Sequence, residues 1–130
     1  MSGRLQALAG SSAVHLLFAF VAMGSWAVFA NRAHPMPEPL VAGAVQGALS
    51  AVITLFLKSG IDYLSERIDG SAAYWTPPVI VLIASISLLT AFHWLSGTPE
   101  IASTIAVPLA VSTSYAALYN VTLARRRRQP

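Results

Sequence analysis

The chain has 130 residues, of which 55% are hydrophobic and only 10% charged, with a mean hydropathy of +0.63. Soluble domains carry about one-quarter charged residues, so a water-soluble fold is excluded. Eight Lys and Arg against five Asp and Glu give a formal charge of +3, four of the eight lie in the run Arg125 to Arg128, and the absence of Cys rules out disulfides, thiolate metal sites and thiol nucleophiles.

A bilayer core about 30 Å thick needs about 20 apolar residues per helix, because backbone groups left unsatisfied in lipid each cost several kcal/mol. Four stretches qualify: 13–30, 40–57, 79–95 and 101–123. The first also has features of a secretory signal, with Arg4 ahead of it and Val28-Phe29-Ala30 at its end. It is long for a signal core, and a transmembrane span is the preferred reading. Between the first and second stretches, Pro35, Pro37 and Pro39 force a tight non-helical turn, so these two spans form a hairpin.

The second stretch carries the most readable face. Gly43, Gln46, Gly47, Ser50 and Thr54 recur at three- and four-residue spacing and so share one stripe of a helix, with Lys58 on the same line. Gly43 and Gly47 allow close approach of another backbone, and Gln46 can hydrogen-bond across helices for about 1 kcal/mol. The stripe therefore faces protein or water, either as a helix-packing or dimerisation surface or as part of a substrate path. Beyond it, residues 58–69 place Ile61, Leu64 and Ile68 on one side and Asp62, Ser65, Glu66 and Asp69 on the other. That pattern predicts a short helix lying on the membrane surface within a loop over 58–76.

The third and fourth stretches are joined by Ser96-Gly97-Thr98-Pro99-Glu100, which makes a second hairpin. The fourth offers Thr104, Pro108, Ser112, Tyr115, Tyr119 and Asn120. Pro108 lacks an N–H and would free the carbonyl of Thr104 inside the span, marking a kink or a polar face. The tail over 124–130 holds Arg125, Arg126, Arg127 and Arg128, which would be drawn to anionic lipid head groups by about 1 kcal/mol per charge near the surface and would anchor the topology. With no accompanying aromatic or folded reading surface, the cluster gives no case for nucleic-acid binding.

Arg4, Lys58, Arg67 and the four terminal arginines fall on one side of the membrane and Arg32 on the other, which places both termini and the central loop in the cytoplasm. Sliding the first hairpin onto the second by 62 positions pairs Pro37 with Pro99, Glu38 with Glu100, Ser25 with Ser87 and Ser50 with Ser112, together with four Ala and Val identities. The alignment suggests a parallel internal repeat, although two independent hairpins under one compositional pressure would also produce such matches.

Chemistry-bearing residues are sparse. His15 and His93 lie near span ends, and His34 sits in the proline-rich turn with Glu38, where the prolines prevent a regular helix and favour a solvated turn over a metal pair. No Asp, Glu, Lys or Arg lies within a span, which disfavours ion-coupled export. The chain has no Gly-rich phosphate loop, zinc motif, nucleophile elbow or paired carboxylates. No enzyme activity, metal or cofactor is therefore expected.

With its small size, four spans, paired hairpins, Asn120 near the end of the last helix and a basic tail, the chain resembles the GtrA-like family of small bacterial membrane proteins. That resemblance implies a role in moving polyprenyl-linked sugars across the membrane. The family's second and fourth spans end in an Asn-Arg pair followed by aromatic residues. Here helix two ends Leu57-Lys58-Ser59-Gly60 and helix four runs Asn120-Val121-Thr122-Leu123, so only Asn120 carries over.

The expected fold is all-α: an integral-membrane four-helix bundle of two tandem hairpins, in a bacterial inner membrane, that associates further as a homo-oligomer or within a larger membrane complex. The leading functional expectation is a non-enzymatic component that assists translocation of a lipid-like or lipid-linked substrate. The competing one is a structural subunit or assembly factor.

Overall fold

The computed structural model describes residues 3–4 and 12–128. Four long helices follow one another in antiparallel order: α1 (Ser12–Ala30), α2 (Glu38–Ser65), α3 (Thr76–Leu95) and α4 (Ile101–Arg128), with a short 3-10 helix at Gly70–Tyr74. Every regular element among the described residues is helical, and each long helix contains an apolar window sufficient to cross a membrane. The chain is a multi-pass integral membrane protein. Its outer surface is apolar, with Leu17, Phe18, Phe56, Trp94, Leu95 and Leu118 each more than 60% exposed. Its interior holds Asn31, Gln46, Ser50, His93, Thr104 and Asn120, all buried. This distribution is the one lipid demands, because hydrocarbon solvates the apolar face and polar groups must find protein partners.

The helices differ in length. α1 and α3 have 19 and 20 residues, whereas α2 and α4 have 28 each. At 1.5 Å per residue the shorter pair spans about 30 Å, the thickness of the hydrocarbon core, and the longer pair about 42 Å. Both turns lie at one end of the bundle, so the extra length of α2 and α4 projects at the other. That projecting end carries Lys58, Arg67 and Arg125 to Arg128 and is called the basic end below.

The helices run further than the expected bounds at several places. Residues 58–65 continue α2 without a break and do not form a separate surface helix. Ile61 is fully buried and packs with Leu57 and Ala116, with Val81, Tyr119 and Leu123 closing around them, so the apolar side of this segment meets α3 and α4. The helix stops just beyond Ser65, whose hydroxyl donates to the Asp62 carbonyl. The basic tail is likewise helical through Arg128, while residues 129–130 lie outside the described part. α2 and α3 also start earlier than expected, at Glu38 and Thr76, because Pro39, Pro77 and Pro78 occupy first-turn positions where an amide N–H has no helical partner to lose.

Within the first hairpin, α1 packs closely on α2 through glycines. A Cβ placed on Gly24 would stand 2.9 Å from the Gly43 carbonyl oxygen, and one on Gly47 would stand 2.9 Å from the Phe20 carbonyl oxygen. A Cβ on Gly43 would approach a methyl of Val28 to 2.5 Å. Gly43 and Gly47 of the small-residue stripe on α2 are thus packed against α1 of the same chain. Overpacking at such a contact costs about 1–3 kcal/mol. Gly47→Val should accordingly lower stability by that amount, read as a shift in the SDS-unfolding midpoint. Gly60→Ala, whose new Cβ meets nothing nearer than a Val81 methyl at 3.9 Å, should shift it by less than about 0.5 kcal/mol.

Candidate functional site

The two hairpins are fastened to one another at the turn end by hydrogen bonds between buried side chains. Asn31, the residue after α1, donates through Nδ2 to Thr104 Oγ1 at 2.8 Å and accepts at Oδ1 from the Glu100 N–H at 3.0 Å. Asn31 thereby satisfies one of the amides that the start of α4 leaves without an intrahelical partner. Trp26 Nε1 donates to the Ser103 carbonyl at 2.9 Å. Above them, His34 Nε2 lies 3.0 Å from Glu100 Oε1, with Nδ1 4.0 Å from Glu38. His34 therefore bridges the two turns.

The second fastening runs from α3 to α2. Gly97, at a φ of 76°, ends α3 in a left-handed conformation that folds the chain back so that the Thr98 N–H bonds the His93 carbonyl at 2.9 Å. That reversal brings Thr98 Oγ1 to 2.7 Å from His93 Nδ1. The other ring nitrogen, Nε2, is 2.8 Å from Gln46 Oε1, and Gln46 Nε2 donates to Ser50 Oγ at 2.7 Å. An amide oxygen only accepts, so His93 Nε2 donates to Gln46 Oε1, and in the tautomer protonated at Nε2 alone Nδ1 accepts a hydrogen bond from the Thr98 hydroxyl. A hydrogen-bonded chain thus leads from Thr98 at the turn through His93 and Gln46 to Ser50 near the middle of α2.

Below this seal the hairpins part and enclose a cavity of about 680 Å³, partly open to the surroundings. Its walls come from all four long helices: Leu16, Ala19 and Met23 of α1, Ser50, Ile53 and Thr54 of α2, Leu89 of α3, and Pro108, Val111 and Ser112 of α4. His15, Phe18, Lys58, Ser59 and Tyr115 also line it, towards the basic end. Pro108 lies seven residues into α4, so the cavity begins about 10 Å below the turn end and continues to the level of Lys58. The hydrogen-bonded seal above it occupies only the remaining third of the membrane.

The expected stripe on α2 is therefore divided. Gly43 and Gly47 pack against α1, Gln46 forms part of the seal, and Ser50 and Thr54 face the cavity. On α4, Thr104 belongs to the seal, whereas Pro108 and Ser112 lie on the cavity wall. α4 remains helical across Pro108. Asn120 is elsewhere: its Nδ2 donates to the carbonyls of Ala73 and Tyr74 at 2.8 and 3.0 Å and pins the connection between the hairpins. Its buried Oδ1 has no hydrogen-bond partner among the described residues. Arg125 to Arg128 form the exposed last turn of α4, with the Arg128 guanidinium 4.9 Å from the Tyr74 ring. Near the cavity mouth, Lys58 Nζ lies 3.4 Å from Asp62, and Asp62 also accepts the Tyr119 hydroxyl.

The sequence reading places His93 only near a span end and Asn31 and Thr98 only in the turns, and assigns none of them a site role. A signal for the first two was present: in the 62-residue register Asn31 coincides with His93, so both hairpins carry a buried polar residue at the end of their first helix. Each reaches across to the second helix of the other hairpin, Asn31 to α4 and His93 to α2. No family model, curated protein or solved structure matches the chain.

Side-chain hydrogen bonds inside membrane bundles average about 0.6 kcal/mol and reach about 1.7 in double-mutant cycles. The Gln46–His93 bond belongs to a connected buried network. A cycle built from Gln46→Leu and His93→Leu should therefore show coupling near the upper value, about 1–2 kcal/mol in SDS unfolding. Coupling near zero would mean that the bond does not hold the seal.

Proposed function

We propose that this protein is a non-enzymatic membrane component that receives a lipid-like molecule between its two hairpins and assists its passage across the bilayer. One observation carries the reading: a ligand-sized cavity inside the membrane is closed towards the turn end by hydrogen bonds and extends to the opposite, basic end. A pocket of about 300–1,000 Å³ with mostly apolar walls and a few fixed polar groups is what binding of one small amphiphile requires. Lys58, Thr54, Ser50 and Gln46 are spaced four residues apart on α2, so polar groups follow one line from the cavity mouth to the seal. A head group can follow that line while its hydrocarbon part stays among Leu16, Met23, Leu89 and Val111.

In this reading the basic end is cytoplasmic, in accord with the excess of Lys and Arg there, and the host is a bacterial inner membrane. Arg125 to Arg128 lie about 36 Å or more along α4, beyond the hydrocarbon core, where anionic head groups hold them in register. Any further association, with a second copy or a larger membrane partner, uses a surface other than Gly43 and Gly47, which pack against α1.

The absence of native cysteine allows a direct test. Single cysteines replacing Thr54 and Ser112 should react with a membrane-impermeant maleimide added to the basic side and stay protected from reagent on the turn side. Purified protein in vesicles should accelerate flipping of a fluorescent single-chain lipid, an NBD-labelled lysophosphatidylglycerol, read by dithionite quenching, and Ser112→Phe should reduce that acceleration at least fivefold. Vesicles in which the protein moves lipid no faster than protein-free controls would replace this reading with that of a structural subunit.

A further inference from the structure

The chemistry of the cavity's two ends is unequal, and that inequality specifies an occupant. The deep end, around Met23, Leu89 and Pro108, is hydrocarbon except for Ser50, whose oxygen is taken up by the Gln46 amide. The mouth carries Lys58, the only Lys or Arg on the cavity wall among the described residues. Lys58 is 61% exposed and directs its ammonium at Asp62 at 3.4 Å. An ammonium has three donors; Lys58 directs one at Asp62 Oδ2, while the Tyr119 hydroxyl occupies the other oxygen, Oδ1. The remaining Lys58 donors have no acceptor among the described residues and stand beside an apolar chamber. From Ser50 to Lys58 is eight residues, about 12 Å along α2. The cavity of about 680 Å³ lies within the range of about 300–1,000 Å³ that small ligands occupy. Its narrow run between Ser50 and Lys58 suits one acyl chain with a small head.

We propose that the cavity is a binding site for one single-chain amphiphile with a carboxylate head, of the fatty-acid type. Its carboxylate sits at Lys58 and its chain runs between α1 and α4 to Leu89. The assignment rests on the reading of the cavity as the substrate site and does not depend on movement across the membrane. A single negative charge matches a single, partly satisfied cation, and Ser59 and His15 border the same rim. An uncharged chain of the same length would leave Lys58 as it is and gain only what it would also gain from lipid.

The test uses the full chain in phosphatidylcholine vesicles with dodecanoic acid bearing a diazirine at its ω end. It is run at alkaline pH, where the carboxylate is ionised and lysine is still protonated. After irradiation, the labelled residues are mapped by mass spectrometry. The expected result is label concentrated at Met23 and Leu89, suppressed at least fivefold by unlabelled dodecanoate and little affected by dodecanol. Lys58→Gln should lower that label at least fivefold, and Lys58→Arg should retain it. The competition between dodecanoate and dodecanol in the unaltered protein decides the matter even if Lys58→Gln fails to fold. Label spread over the lipid-facing Leu17, Ile83 and Leu118 without competition would overturn the site, and equal competition by dodecanol would overturn the carboxylate. Selective labelling without lipid flipping would retain the site and reject the transport reading, whereas flipping without selective labelling would do the reverse.

Discussion

Everything in this bundle depends on polar side chains that bond between hairpins at the turn end. In water, four apolar helices would be driven together by the removal of surface from solvent. In lipid that drive is absent, because hydrocarbon solvates a leucine as well as another helix does. Two forces remain, close packing and hydrogen bonds, and the chain uses them in different places. Glycine contacts at Gly24, Gly43 and Gly47 join α1 to α2 within a hairpin. Asn31, Trp26, His93 and Gln46 join one hairpin to the other. Lower down, α1 lacks such fastenings to α3 and α4 among the described residues, and the cavity lies there.

The basic end is organised differently. The cluster of Leu57, Ile61 and Ala116, with Tyr119 bonded to Asp62, holds α2 to α4 without involving α1. Among the described residues α1 is thus hydrogen-bonded to the second hairpin at its turn end, by Trp26 and Asn31, while its basic half borders the cavity. The short connection at Gly70–Tyr74 is tied to α4 by Asn120, so the loop that links the hairpins is also anchored to the helix pair.

Much of this was legible in the sequence because lipid imposes coarse, strong rules. Run length gave the spans, prolines gave the turns, and the stripe on α2 could be marked from spacing alone. The destination of that stripe was not legible: spacing fixes which residues share a helix face but not which helix lies opposite, and here α1 covers the upper part while the lower part faces a void. The continuation of α2 through residues 58–65 was misread for a related reason. An amphipathic period looks the same whether its apolar side meets a membrane surface or Ala116 and Val81. His93 and Asn31 were given no role because a polar residue near a span end normally faces head groups. Only the fold, with Gly97 turning Thr98 back onto the His93 ring, brings them inside.

The crossed pattern of the seal has a consequence for biosynthesis. Asn31 and Gln46 belong to the hairpin made first, and their partners Thr104, Glu100 and His93 belong to the one made second. When the first hairpin leaves the ribosome and enters the bilayer, Asn31 and Gln46 have only their partners within it, the Ala27 carbonyl and Ser50, and their amide oxygens must be served by water, lipid head groups or the insertion machinery. Arrival of the second hairpin exchanges those temporary partners for permanent ones on both sides at once. The nascent chain is therefore most exposed to quality-control proteolysis in the interval between the two insertions. A truncation after the first hairpin would yield a protein that inserts but is not retained.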